Sequence, residues 1–203
     1  MVEYVTVRAG KMAEDLVPGR SFPHPGITLD RRALRLAEVT GNSHEIYRDE
    51  NYANLFGHKR SGLLPPFAVI YIGFCQGVED LSLNSDAFRG MYNVSVGSDV
   101  YNGDSIMPTT VVYGRKPKES GNNRESIVGF RSTLDIENDI GVPGTPIARW
   151  YRVNNVNNGI EEVVPYQEGV DLDPEKPPSD MKPLPYIGTR FLRDVKPEDL
   201  KLL

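Results

Sequence analysis

The sequence predicts an α+β domain in which an antiparallel β-sheet wraps one apolar helix. Three observations carry this. The run Phe67–Cys75 is apolar on every side and follows two prolines. After Asn84 the hydrophobic period changes to two, in segments separated by turn-forming residues. The composition, 39% hydrophobic and 25% charged over 203 residues, is that of a globular chain able to bury a core.

The chain first runs through a Pro- and Gly-rich lead-in, Val17 to Ile27. Thr28 or Asp30 can then cap a helix that places Leu29, Ala33, Leu36 and Ala37 on one face and ends at Gly41. Asp49 can cap a second, short helix through Tyr52, Ala53 and Leu55, closed by Gly57. A basic loop, His58-Lys59-Arg60, leads to Ser61-Gly62-Leu63-Leu64-Pro65-Pro66. Proline suits a first helical turn, where its missing N–H costs nothing. The helix from Pro66 is short and apolar all round, so protein is expected to cover it on nearly every side. Gly73 within it permits close approach of another backbone. Cys75, among apolar neighbours, reads as a core thiol.

Four strands are expected next. Tyr92, Val94 and Val96 alternate with polar residues; Asn102-Gly103 is a turn signal; Ile106–Tyr113, Ser126–Ile136 and Ile147–Val153 follow. Short turns between consecutive strands predict an antiparallel meander, curled around the helix. The segment from Asn157 to Leu203 holds seven of the 16 prolines and no strong periodicity, and reads as an extended arm. The expected organisation is thus a domain over 1–156 and a Pro-rich extension over 157–203.

Several classes are excluded. The net charge is −5 without a Lys/Arg cluster, so no nucleic-acid partner is expected. The longest apolar run is too short to span a bilayer, and no apolar core of signal length stands near the first residue, so a cytoplasmic location away from membrane is expected. The single cysteine fits a reducing compartment. His24 and His58 have no companions at metal-ligand spacing, so neither metal nor redox cofactor is expected.

The segment Thr40-Gly41-Asn42-Ser43-His44-Glu45-Ile46-Tyr47-Arg48-Asp49-Glu50-Asn51-Tyr52-Ala53 resembles the signature T-G-D-x-N-P-x-H-x-D-x-x-Y-A of MaoC-like, (R)-specific enoyl-CoA hydratases. Phe56-Gly57, Ser61-Gly62-Leu63-Leu64 and the turn Val100-Tyr101-Asn102-Gly103-Asp104 match further motifs in the same order. Leu81-Ser82-Leu83-Asn84 and Arg149-Trp150 are most similar to the degenerate half of 2-methylfumaryl-CoA (mesaconyl-CoA) hydratases. The resemblance spans roughly 15–155. It implies a hot-dog fold, a 2-enoyl-CoA substrate that brings CoA with it, and pairing as a homodimer or with a second hot-dog chain.

Two departures bear on chemistry. The family's catalytic Asp aligns with Asn42 and its catalytic His with Tyr47. Hydration of an enoyl thioester needs a base for water and an acid for the α-carbon. Asn42 cannot take a proton in that role, and a phenol ordinarily titrates near 10. Three arrangements are open: the chain is one half of a double hot-dog whose partner carries the active pair; it is active through a substituted set, His44, Tyr47 and Asp49; or it binds without catalysis. His44 titrates nearest neutrality but also reads as a solvated loop residue, Asp49 as a cap, and Tyr47 as a packed ring. Ser61, Gly62 and Leu63 offer backbone N–H groups at the helix N-terminus, where the family polarises the thioester carbonyl, although Gly62 could merely make a turn. Arg48, like Lys59 and Arg60, could meet CoA phosphates. A hot-dog thioesterase using Asp49 or Glu50 as base is the alternative activity.

Overall fold

A computed structural model describes residues 10–39, 44–58, 60–118, 125–137, 143–159 and 173–176. In chain order the elements are β1 (Ser21–Pro23), β2 (Ile27–Thr28), α1 (Arg31–Val39), α2 (Glu50–Leu55), α3 (Pro66–Gln76), α4 (Val78–Leu81), β3 (Ser85–Val96), β4 (Ser105–Pro117), β5 (Glu125–Glu137) and β6 (Pro143–Asn157). Two 3₁₀ turns, Ala13–Asp15 and Glu45–Tyr47, complete the set.

Local chemistry explains the helix starts. Asp30 accepts a hydrogen bond from the Arg32 N–H (2.8 Å) and opens α1. Asp49 accepts from the N–H groups of Asn51 and Tyr52 and opens α2. Gly57, at φ +88°, follows its last turn. Pro66 stands in the first turn of α3, as its sequence demands.

One antiparallel sheet, in the order β1-β4-β5-β6-β3 with β2 also on β4, forms the body of the fold. Registers such as Val112↔Phe130 and Leu134↔Ala148 fix which side chains face inward. The sheet curls around α3, whose Val69 and Ile70 pack with Ile106, Leu134, Ala148 and Trp150. Gly73 seats the helix: a Cβ there would lie 2.9 Å from Leu134 Cδ1. The expected hot-dog arrangement, α+β, is the one observed.

Three expectations are corrected. The strands are not a simple meander: β4, β5 and β6 are, but β3 pairs with β6 at the far edge instead of with β4. The segment between β3 and β4 does not close a hairpin, because Leu64 N–H donates to Val100 O and Leu63 bridges Tyr101. Nor is α3 covered on every side. Phe67 is 65% and Tyr71 48% exposed, and Cys75 is exposed with them, so the thiol is not in the core. These residues share one helix face, which the sheet's curl leaves open beside β3. The lead-in, finally, contains β1 and β2, too short to show a period.

Gly41 and most of the extension lie outside the described residues. Residues 173–176 pack back on the sheet: Tyr113 Oη donates to Pro174 O (2.6 Å), and Lys116 pairs with Asp173 (3.2 Å) and Glu175. No helix among the described residues is long and apolar enough to cross a membrane.

Beyond the C-terminal end of α3 lies a buried polar chain. His24 Nε2 is 3.0 Å from Thr110 Oγ1, which is 2.9 Å from Ser132 Oγ. His24 Nδ1 is 3.6 Å from Asp80. Burial pulls His24 below its ordinary 6.5, and Asp80 opposes this only in part.

Two outcomes follow from this packing. Gly73→Val should cost about 1–3 kcal/mol by overpacking against Leu134. Combined with Leu134→Ala, the loss in urea unfolding should be smaller than the sum of the single losses; strict additivity would show that the two do not touch. For His24 the unfolded chain binds the extra proton, so stability present near neutrality should decline as pH drops below 6.5. Unfolding curves between pH 5 and 7 should show this decline, and His24→Gln should flatten it.

Candidate functional site

The site is built where the turn before β4 meets the segment before α3. Leu64 N–H donates to Val100 O (2.8 Å) and Asn102 N–H to Gly62 O (2.7 Å). Leu63 and Tyr101 are therefore a non-hydrogen-bonded antiparallel pair, and the Leu63 N–H turns away from the neighbouring segment. Neither the Gly62 nor the Leu63 N–H donates to any described residue. Gly62 has two reasons to be glycine: its φ is +76°, and a Cβ would meet Asn102 Cβ at 2.8 Å.

This segment forms one wall of a cavity of about 510 Å³. Ser61, Gly62 and Leu63 line it together with Tyr47, Arg48, Asp49 and Glu50 and the side chains of Arg35 and Arg60. Eight of the residues singled out from sequence thus converge on one space. Asp104 holds Arg60 at 2.5 Å and accepts from the Tyr101 N–H at 2.8 Å. The Arg60 guanidinium also lies over the Tyr101 ring, 4.9 Å from its centroid.

The candidate acid–base groups are placed unequally. Tyr47 is half-buried, and burial together with the charge of Asp99 pushes its phenol above 10. It is a proton donor at neutral pH and not a base. Asp49 lines the cavity while its Oδ1 caps α2, 2.8 Å from the Asn51 N–H. His44 is exposed and does not line the cavity; its Nδ1 accepts from the Ile46 N–H (3.2 Å) and its ring stands edge-on to Tyr47 at 6.3 Å. Asn42 lies outside the described residues.

Sequence reasoning missed a second cluster. His58, which the sequence places in a basic loop, is 1% exposed. Its Nδ1 stands 3.5 Å from Asp99 Oδ2 and 3.3 Å from Tyr101 Oη. Burial, then Asp99, pushes the Tyr101 phenol up as well. The pair is far apart in sequence, and Asp99 carries no motif of its own. The available signal was the Val100–Asp104 turn that brings it alongside.

No family model and no curated protein matches the chain. Solved structures do, at identities that show the fold alone. A protein of Chloroflexus aurantiacus J-10-fl assigned as a MaoC-domain dehydratase superposes with a TM-score of 0.70 at 22% identity, over 84% of this chain and 46% of its own. Rv0216 of Mycobacterium tuberculosis, which has a double hot-dog fold, gives 0.71 at 18% identity, over 86% and 52%. The (R)-hydratase PhaJ1 of Pseudomonas aeruginosa gives 0.57 at 16% identity, over 79% and 98%. The fold is hot-dog, and the chain spans about half the length of the first two.

Gly62→Ala should lower stability by more than Gly103→Ala. Both sit at positive φ (+76° and +93°), but an added Cβ meets nothing within 4 Å at Gly103. The strain at each is about 1–2 kcal/mol, and Gly62 adds the collision with Asn102. Equal losses in urea unfolding would show that the 61–64 segment is not held against the turn.

Proposed function

We propose that the chain takes part in hydration or dehydration of a 2-enoyl-CoA thioester, alone or as one subunit of a hot-dog oligomer, with the cavity before α3 as the thioester site. One observation carries the reading: Gly62 and Leu63, whose N–H groups donate to no described residue, line a cavity at the N-terminus of an apolar helix. Donors so placed suit a thioester oxygen that gains negative charge as water adds to the β-carbon. The proton for the α-carbon then comes from a positioned acid, for which the Tyr47 phenol is the group at hand. Arg35 and Arg48, exposed residues that line the cavity, suit CoA phosphates, with no further cofactor. A branched or dicarboxylic acyl group is part of the same proposal.

The base is the open place. Asp49 is engaged as a cap, and His44 is tied to its own turn. This favours a second reading, in which the chain binds thioester and a second hot-dog chain supplies the proton-transfer pair. The edge of β3 left unpaired among the described residues supports it, as does the chain's span of about half of two structural neighbours, one of them a double hot-dog. It also ranks thioester hydrolysis by Asp49 behind hydration. The location proposed is the cytoplasm.

Crotonyl-CoA separates these readings. Loss of enone absorbance without free thiol supports hydration, and free thiol supports a thioesterase. Activity of the isolated chain that falls at least about tenfold in Tyr47→Phe supports the self-sufficient form. Turnover only on adding a second hot-dog chain supports the subunit form. Failure of any acyl-CoA to bind, with Gly62→Ala indistinguishable from wild type in that assay, sinks the proposal.

A further inference from the structure

The open face of α3 forms one side of a groove of about 460 Å³, distinct from the cavity before the helix. Phe67, Tyr71 and Phe74 line it from the helix, and Phe88 and Met91 from β3. Phe67 to Phe74 extends roughly 10 Å along the helix axis at about 1.5 Å per residue. At one end the lining turns polar, with Ser82, Ser85 and Asn154.

Behind that end stands Arg152, 1% exposed. Its guanidinium lies between the rings of Phe74 (5.1 Å) and Phe130 (4.8 Å). It makes no ion pair with any described carboxylate, and its Nε has no hydrogen-bond partner. Burial lowers its pKa to about 10, so it remains charged at neutral pH. Nη1 donates to Ser82 Oγ at 3.0 Å. The Asn154 amide nitrogen donates to Ser82 Oγ (3.4 Å) and Ser85 Oγ (3.1 Å), which leaves Asn154 Oδ1 buried without a partner. Turning the amide over satisfies the same serines and presents its N–H groups instead. In either orientation the cluster carries more donors than acceptors.

We propose that this groove binds an unbranched alkyl chain ending in a carboxylate, with the head group at Ser82, Ser85 and Asn154 and its charge facing Arg152. The apolar wall takes the chain, and the surplus donors require an acceptor. A buried cation without a counter-ion among the described residues selects a negative head over a neutral one. The carboxylate can belong to a free fatty acid or to the far end of a thioester's acyl chain. The second source rests on the function proposed above; the first does not.

Calorimetric titration of the full chain with decanoate, 1-decanol and decyltrimethylammonium tests the site. Decanoate should bind at least about tenfold more tightly than 1-decanol, and the cation should not bind. Arg152→Met should remove most of that preference while sparing 1-decanol; if its circular dichroism shows a misfolded chain, Ser82→Ala, expected to weaken decanoate about threefold or more, decides. Decanedioyl-CoA binding more tightly than decanoyl-CoA, in competition with decanoate, assigns the carboxylate to the thioester's far end. Decanoate binding unaffected by either thioester assigns it to a free fatty acid. Equal affinity for decanoate and 1-decanol, or a preference that survives in the folded variants, overturns the proposal. So does a dimer that takes no decanoate and becomes monomeric in Phe88→Asp, since a second copy would then fill the groove. A chain that binds decanoate yet never turns over crotonyl-CoA keeps this site and loses the enzymatic reading.

Discussion

The seating of α3 on the sheet is the constraint from which the other features descend. Its eleven residues form a helix with almost no polar side chains, and water will not solvate such a helix. Gly73 lets it approach Leu134 closely enough for β4, β5 and β6 to curl over Val69 and Ile70. Once the curled sheet occupies that side, β3 runs along the far edge, on β6. The chain must then return to β4 past the N-terminal end of α3. There its turn, Val100–Asp104, is bonded to Gly62 and Leu64 on one side and to Leu29 on the other. The cavity is a consequence of that return path.

Electrostatics refine what the path creates. Arg60 is neutralised by Asp104 and its face is taken by the Tyr101 ring, so it stiffens the turn more than it attracts a ligand. Arg35 and Arg48 carry no such engagement in the geometry described and are better placed to meet anions. Asp99 lies near His58, Tyr47 and Tyr101 together, and its charge helps to keep both phenols protonated. The site thus holds two protonated phenols, while of the carboxylates that line the cavity Asp49 caps α2 and Glu38 and Glu50 are exposed.

The sequence made the helices more legible than the sheet. Asp49, Pro66 and the apolar run act locally, and each produced the expected cap, start and helix. Strand existence was equally legible, through a period of two. Strand order was not, because the pairing of β3 with β6 depends on contacts some sixty residues apart and leaves no local mark. The exposed face of α3 was hidden for a related reason: Phe67, Tyr71 and Cys75 are as apolar as Val69, and only the sheet's path distinguishes them. At the site, motif order located Tyr47, Asp49 and Ser61–Leu63, while the burial of His58 beside Asp99 arises from tertiary approach alone.

On the proposed reading, catalysis has two parts that this chain does not carry equally. Polarising a thioester uses backbone N–H groups. Their direction is set by Gly62, by the antiparallel bridge at Leu63 and by the helix that follows, so it belongs to the fold and is indifferent to most side chains. Moving protons depends on particular side chains at particular places. Here Asp49 caps a helix, Glu38 and Glu50 are exposed, the His44 imidazole is held by its own turn, and the Tyr47 phenol is protonated past neutrality. A domain so built is complete for binding and one-sided for acid–base work. β3 has an edge unpaired among the described residues, so one event, the docking of a second hot-dog chain, would satisfy that backbone and supply a base.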